Sequence, residues 1–235
     1  MRLGSTLRPS ATPVIAGLFA TVLANAAGAA DAAHPTVVEL FQSQGCSSCP
    51  PANANVMALS DRPDLLTLSF GVTYWDQLGW KDTFASPAFT ARQWDYARGL
   101  HHDGIGTPQV VVNGRADVVG QDRGQLEALI RQADRGVSGP PISINGGTVT
   151  IGPGTKSGDV LLVRYDPRVV QVPIRRGENG GKTLPHRNVV KTLIRLGGWS
   201  GRVQTYHLPP AAPGLKDAIL VQAGPGGPIL AAARD

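Results

Sequence analysis

Two cysteines, Cys46 and Cys49 in Cys46-Ser47-Ser48-Cys49, are the residues best suited to chemistry in this 235-residue chain, and they are its only cysteines. Their spacing lets them close a disulfide within one turn. As a staple that bond is weak, because closing a four-residue loop stabilises a fold by only about 2 kcal/mol. As a metal site, two thiolates need two further ligands, and His101, His102, His186 and His207 do not stand at ligand spacing to them. A redox pair has a firmer physical basis. Pro50 and Pro51 can open a helix just after Cys46, and the unpaired N–H groups and dipole at a helix start favour a thiolate. That field is worth roughly 0.3–1 kcal/mol. No Lys, Arg or His adjoins Cys46, so the expected stabilisation of its thiolate is modest. Ser47 and Ser48 can donate hydrogen bonds to the sulfur. In exchange chemistry Cys46 attacks a partner disulfide, a mixed disulfide forms, and Cys49 resolves it.

The elements around this pair follow from hydrophobic pattern. Thr36–Phe41 reads as a strand buried on both faces, and Leu65–Val72 as a second. A helix between them runs through Val56, Met57 and Leu59 and stops by Pro63. If the two strands are parallel, their carboxyl ends share one sheet edge, where ligands of open α/β sheets bind. Cys46 follows the first strand and Tyr74-Trp75-Asp76 the second. Trp75 and Asp76 are therefore expected beside the disulfide, with Trp75 lining a substrate groove. Ser86-Pro87 begins a second helix, Gln109–Val112 a third strand, and Asn113-Gly114 a hairpin into a fourth strand closed by Val118-Val119. Asp122 with Gln125 starts a third helix. His101 and His102 read as a surface turn.

Beyond residue 138 the pattern changes. Short apolar runs alternate with Gly-rich turns from Ile142 to Ala232, which predicts an all-β, sandwich-like unit over residues 140–235. Turn chemistry accounts for Glu178-Asn179-Gly180-Gly181. A rival reading folds this loop over the cysteines and restricts access to them.

The CxxC at a helix start, followed by Gly106-Thr107-Pro108-Gln109 before a strand and hairpin, resembles the thioredoxin/glutaredoxin superfamily over residues 36–135. That resemblance implies a β-α-β-α-β-β-α domain, spanning residues 35–137. It implies a cis Pro108 packed beside the disulfide and a Thr107 whose backbone groups meet an extended substrate. It also implies an acid beneath the active site that handles the proton of Cys49, and Glu39, a charge inside the first strand, is the candidate. The alternative for Glu39 is a salt bridge, for example with Lys81, or a partly exposed edge. Val38-Glu39-Leu40-Phe41, Gln44-Gly45-Cys46, Tyr74-Trp75-Asp76, Gly79-Trp80-Lys81-Asp82 and His186-Arg187-Asn188 further resemble the domain of unknown function 1223 family of exported bacterial proteins. That family pairs a thioredoxin-like domain with a β-rich extension, and it supplies no substrate.

Composition sets the remaining bounds. Hydrophobic residues make up 42% and charged residues 17%, enough apolar content for a core. The formal charge of +5 is scattered, with no basic run longer than Arg175-Arg176, which argues against a nucleic-acid groove. Arg2, Arg8, an apolar Val14–Ala30 stretch and small residues at its end read as a signal peptide over residues 1–30. The expected location is periplasmic or secreted, where a disulfide persists, with no membrane span after cleavage. The expected function is thiol–disulfide exchange with protein or small-molecule thiols and disulfides, without a cofactor. A binding module with an inert disulfide and a copper or zinc chaperone are the alternatives.

Overall fold

The computed structural model describes residues 1, 4 and 28–235. The expected signal peptide lies outside the described residues, apart from residues 1, 4 and 28–30. No helix among the described residues is long and apolar enough to cross a membrane.

Thr36–Gln42 (β1) and Leu65–Gly71 (β2) are buried along their whole length and pair in parallel. Continuous apolar runs suit strands covered on both faces. Cys49–Ala58 (α1) connects them, with Pro50 and Pro51 in its first turn, where a missing N–H costs no helix bond. A 3₁₀ turn at Asp76–Leu78 carries the aromatic loop. Pro87–Gly99 (α2) then starts at Ser86, whose hydroxyl accepts from Ala88 N at 3.3 Å. Gln109–Val112 (β3) and Ala116–Val118 (β4) form a hairpin. Asn113 and Gly114 turn it with φ of 49° and 61°, the left-handed pair that a type I′ turn requires. Arg123–Gln132 (α3) is capped by Asp122, whose Oδ1 accepts from Gln125 N at 2.9 Å.

The remaining chain is all strand: Ile142–Asn145 (β5), Thr148–Ile151 (β6), Gly158–Asp166 (β7), Val170–Pro173 (β8), Thr183–His186 (β9), Val189–Trp199 (β10), Gln204–His207 (β11), Lys216–Gln222 (β12) and Ile229–Arg234 (β13). The fold is thus mixed α/β, with one eight-stranded sheet in the order β13-β12-β7-β10-β2-β1-β3-β4. The change of pattern near residue 138 does not separate two sheets. Instead β10 runs parallel to β2, with Val189 opposite Ser69, and brings β7, β12 and β13 into the first sheet. Asn188 fixes the join: its carbonyl accepts from Ser69 N at 2.9 Å and its amide donates to Thr67 O at 2.9 Å. A parallel pairing between segments 120 residues apart leaves no local trace in sequence, which is why it escapes a reading of periodicity. The three-stranded sheet β11-β6-β5 packs on the added strands through Val149, Ile151, Leu162 and Ile219.

Alternation along β1 sorts the two faces of the sheet. Val38 and Leu40 meet α1 and α3, while Val37 and Phe41 meet α2.

Candidate functional site

The loop from β1 into α1 carries the cysteines. Cys46 N donates to Ser43 O at 3.1 Å, and Cys46 and Cys49 are joined in a disulfide with Cα atoms 5.4 Å apart. Cys46 Sγ lies 3.3 Å from Ser48 Oγ and 3.8 Å from the carbonyl oxygen of Thr107. The Thr107-Pro108 bond is cis. Trp75 Nε1 donates to Thr107 Oγ1 at 2.8 Å, tying the aromatic loop to the same corner. Cys46, Cys49, Ser48, Thr107, Pro108 and Trp75 are therefore gathered at one sheet edge, as the parallel strands lead one to expect.

Other expected site residues sit differently. Ser47 does not serve the sulfur; its N–H and hydroxyl both donate to Glu178, at 3.0 and 2.7 Å. Asp76 accepts from Asp82 N at 3.0 Å and braces the aromatic loop. Glu39 lies on the α2 face, opposite α1. Its carboxylate is held by Arg92 at 2.7 and 3.1 Å and by the Tyr96 hydroxyl, and it is fully buried. Period-two alternation turns it away from Cys49, so the proton-handling role fails and the salt-bridge alternative holds, with Arg92 in place of Lys81.

The loop between β8 and β9 is tied to the segment that carries the disulfide. Glu178 holds Ser47, and the buried Asn179 donates through Nδ2 to Gln44 O at 3.0 Å and Cys46 O at 2.9 Å. Both cysteines are buried, Cys46 at 0% and Cys49 at 2% exposure. The hydrogen bonds from Ser47 hold the Glu178 carboxyl below its ordinary value. Gln44 is the hub beneath. Its N–H donates to Asp82 at 2.7 Å and its side-chain oxygen accepts from Trp80 Nε1 at 2.9 Å. Burial pushes the Asp82 carboxyl up, against the pull of the Gln44 and Phe84 N–H groups.

Two cavities lie beside the Cys46–Cys49 segment, one lined by Ser48 and the other by Cys49 itself. An open groove of about 500 Å³ runs past Ser48, Thr107 and Pro108, with His102 and Gln121 on its walls. His102 pairs with Asp117 at 2.9 Å. A smaller cavity of about 220 Å³ is lined by Cys49, Pro50, Gln42, Asn53 and His186. His186 is buried at 3% exposure, its Nδ1 lies 3.3 Å from Gln42 Nε2, and its Nε2 has no partner among the described residues. Burial, and then the charge of Lys191, pull its pKa down to about 4. Gln44 and Asp82 stand in motifs that carry the family resemblance, whereas Gln42 and Asn53 carry no sequence signal of their own, and only the fold brings them here.

The family described as a protein of unknown function (DUF1223) matches residues 37–222. The chain belongs to the DUF1223 family. This DUF1223 protein is also similar to a structural-genomics crystal structure of an Agrobacterium tumefaciens protein, with 33% identity and a TM-score of 0.71 over 87% of this chain and 94% of that one. HBP35 of Porphyromonas gingivalis shares the fold at 13% identity, with a TM-score of 0.56 over 88% of this chain and 76% of that one. No curated protein matches the chain.

Proposed function

We propose that this DUF1223 protein is an exported thiol–disulfide oxidoreductase on a thioredoxin-like frame. The observation that carries the reading is the corner where Cys46 Sγ, ahead of α1, faces the carbonyl of Thr107 at 3.8 Å, one residue before the cis Pro108. A reduced Cys46 there has the helix start and the Ser48 hydroxyl to stabilise its thiolate. It attacks one sulfur of a partner disulfide and releases the other as a thiolate. Cys49 then attacks Cys46 Sγ, frees the partner as a dithiol and restores the internal disulfide. The reverse sequence reduces this protein and oxidises the partner. Partners are protein or small-molecule thiols and disulfides, and the open groove beside Pro108 gives their chain a place to lie. The periplasm or the exterior is where such a bond persists.

A trapping experiment tests this. The Cys49→Ala variant, expressed with its N-terminal segment, should hold partners in mixed disulfides through Cys46. Recovery of none, while a known oxidoreductase traps its clients in the same cells, overturns the proposal. The burial of both cysteines favours one competing reading, a binding module with an inert disulfide. In that case the bond resists dithiothreitol in the folded protein.

A further inference from the structure

The cavity on the Cys49 side of the disulfide contains a histidine that the exchange reaction above does not use. His186 comes from β9, far along the chain, and shares the cavity wall with Cys49, Pro50 and Asn53. Its ring orientation is fixed from both ends. Phe84 packs edge-on against it, with ring centroids 5.5 Å apart. Gln42 faces Nδ1, and the neighbouring hydrogen bonds decide which group of Gln42 does so. Asn53 donates Nδ2 to the carbonyl of Pro185 at 2.7 Å, a partner that only accepts. Its Oδ1 therefore faces Gln42 at 3.1 Å, and Gln42 must present its NH₂ group there. That same NH₂ also donates to Ser69 Oγ at 2.6 Å and lies 3.3 Å from Nδ1; since an amide NH₂ cannot accept, an N–H on Nδ1 would oppose it, so Nδ1 turns its lone pair to Gln42 and the ring proton sits on Nε2. Nε2 is buried and without a partner among the described residues. A buried donor left unpaired is costly, and the one group lining this cavity whose charge changes during disulfide exchange is Cys49.

We infer that His186 is a positioning residue for the proposed exchange reaction, its Nε2–H donating across the cavity, directly or through water, to the Cys49 thiolate. When an external thiolate attacks Cys46, the S–S bond breaks and Cys49 takes the electron pair. A donor there stabilises the leaving sulfur, and stabilises the same thiolate when it resolves a mixed disulfide. The ring stays neutral through the physiological range, so the donor persists. Lys191 on β10 is the charged neighbour that acts on the ring; its ammonium sits over Phe84 at 4.1 Å, with Asp166 and Arg168 beyond.

The inference rests on the exchange reading, and its test separates the two. The Cys49 thiol is titrated by thiolate ultraviolet absorbance in Cys46→Ser, alone and combined with His186→Phe or His186→Gln. His186→Phe should raise the Cys49 pKa by about one unit, a tenfold loss of thiolate below the pKa. His186→Gln, which keeps a donor, should restore most of it. Cys46 titrated in Cys49→Ser should not move with either change. A Cys49 titration unchanged by His186→Phe in protein that remains folded by circular dichroism overturns the inference. So does an equal shift with Gln and Phe, which signals a packing effect. If His186 moves Cys49 as expected but the wild type neither exchanges with dithiothreitol nor traps partners, the exchange reading fails and the contact stands.

Discussion

Two polar clusters flank β1, one on each face of the sheet, and they are built on opposite principles. On the α2 face, Glu39, Arg92, Tyr96 and Gln222 form a charged network in which Arg92 bonds Glu39 twice and Gln222 Oε1 at 3.0 Å. All four are buried, at 6% exposure or less. On the α1 face, three residues further along, Gln42, Asn53, Ser69 and His186 form a neutral network with one unpaired nitrogen beside a cavity. The first joins β1 to α2 and β12 and leaves nothing free to react. The second joins α1 to β9 and leaves one group unused beside the cavity that Cys49 also lines. Full satisfaction belongs to the charged cluster, and the unsatisfied atom lies on the side of the sheet that carries the disulfide.

Breaking the charged cluster should give the largest effect on stability. Glu39→Ala leaves the Arg92 guanidinium buried without its carboxylate, and loss of one partner of a buried pair typically costs roughly 3–5 kcal/mol. Urea denaturation should show this as a lower midpoint. Disulfide exchange per folded molecule should stay near wild type, because the contrast assigns no chemistry to this face. A large loss of exchange in the folded fraction would erase the distinction between the two clusters.

The β8–β9 loop tied to Ser47 offers a sharper and smaller effect. Glu178→Ala removes both bonds to Ser47 and should make reduction of the Cys46–Cys49 disulfide several-fold faster, with little change in melting temperature. The same contact has a pH signature. Glu178 titrates below its ordinary value of 4.5 in the fold, so its contact is complete above that value and is lost as pH falls through the lowered folded value. Reduction by a phosphine, which does not depend on a thiolate, should therefore accelerate at acid pH in the wild type and not in Glu178→Ala. An unchanged rate in both proteins would mean that the loop does not govern access.

The sequence makes one side of this comparison far more readable than the other. Cys46, Cys49, Thr107, Pro108 and the Asn113-Gly114 turn are legible because each rests on a local pattern, a CxxC, an X-Pro before a strand, a two-residue hairpin. Glu39 is conspicuous as a charge in a strand, but its face follows only from register and its partner sits on α2, 53 residues away. β9 is the strand that the apolar pattern passes over, since Thr183-Leu184-Pro185-His186 has one aliphatic side chain and a proline. It is also the strand that brings His186 against α1. Gln42 and His186 are 144 residues apart, and nothing in either neighbourhood announces the other.

Trp75 tests the finest point of the contrast, whether the disulfide side is held by many weak ties instead of one strong one. Its indole N–H donates to Thr107 Oγ1 at 2.8 Å, while the carbonyl that faces Cys46 belongs to the same residue's backbone. Trp75→Phe keeps most of the ring and loses that single hydrogen bond, for which about 1 kcal/mol is the usual net value. The melting temperature should fall slightly. Exchange with dithiothreitol should change less than in Glu178→Ala, because β3 and its pairing with β1 still position the backbone after Thr107. If Trp75→Phe instead disables exchange more than Glu178→Ala alters it, the aromatic loop, and not the β8–β9 loop, is the element that shapes access to the disulfide.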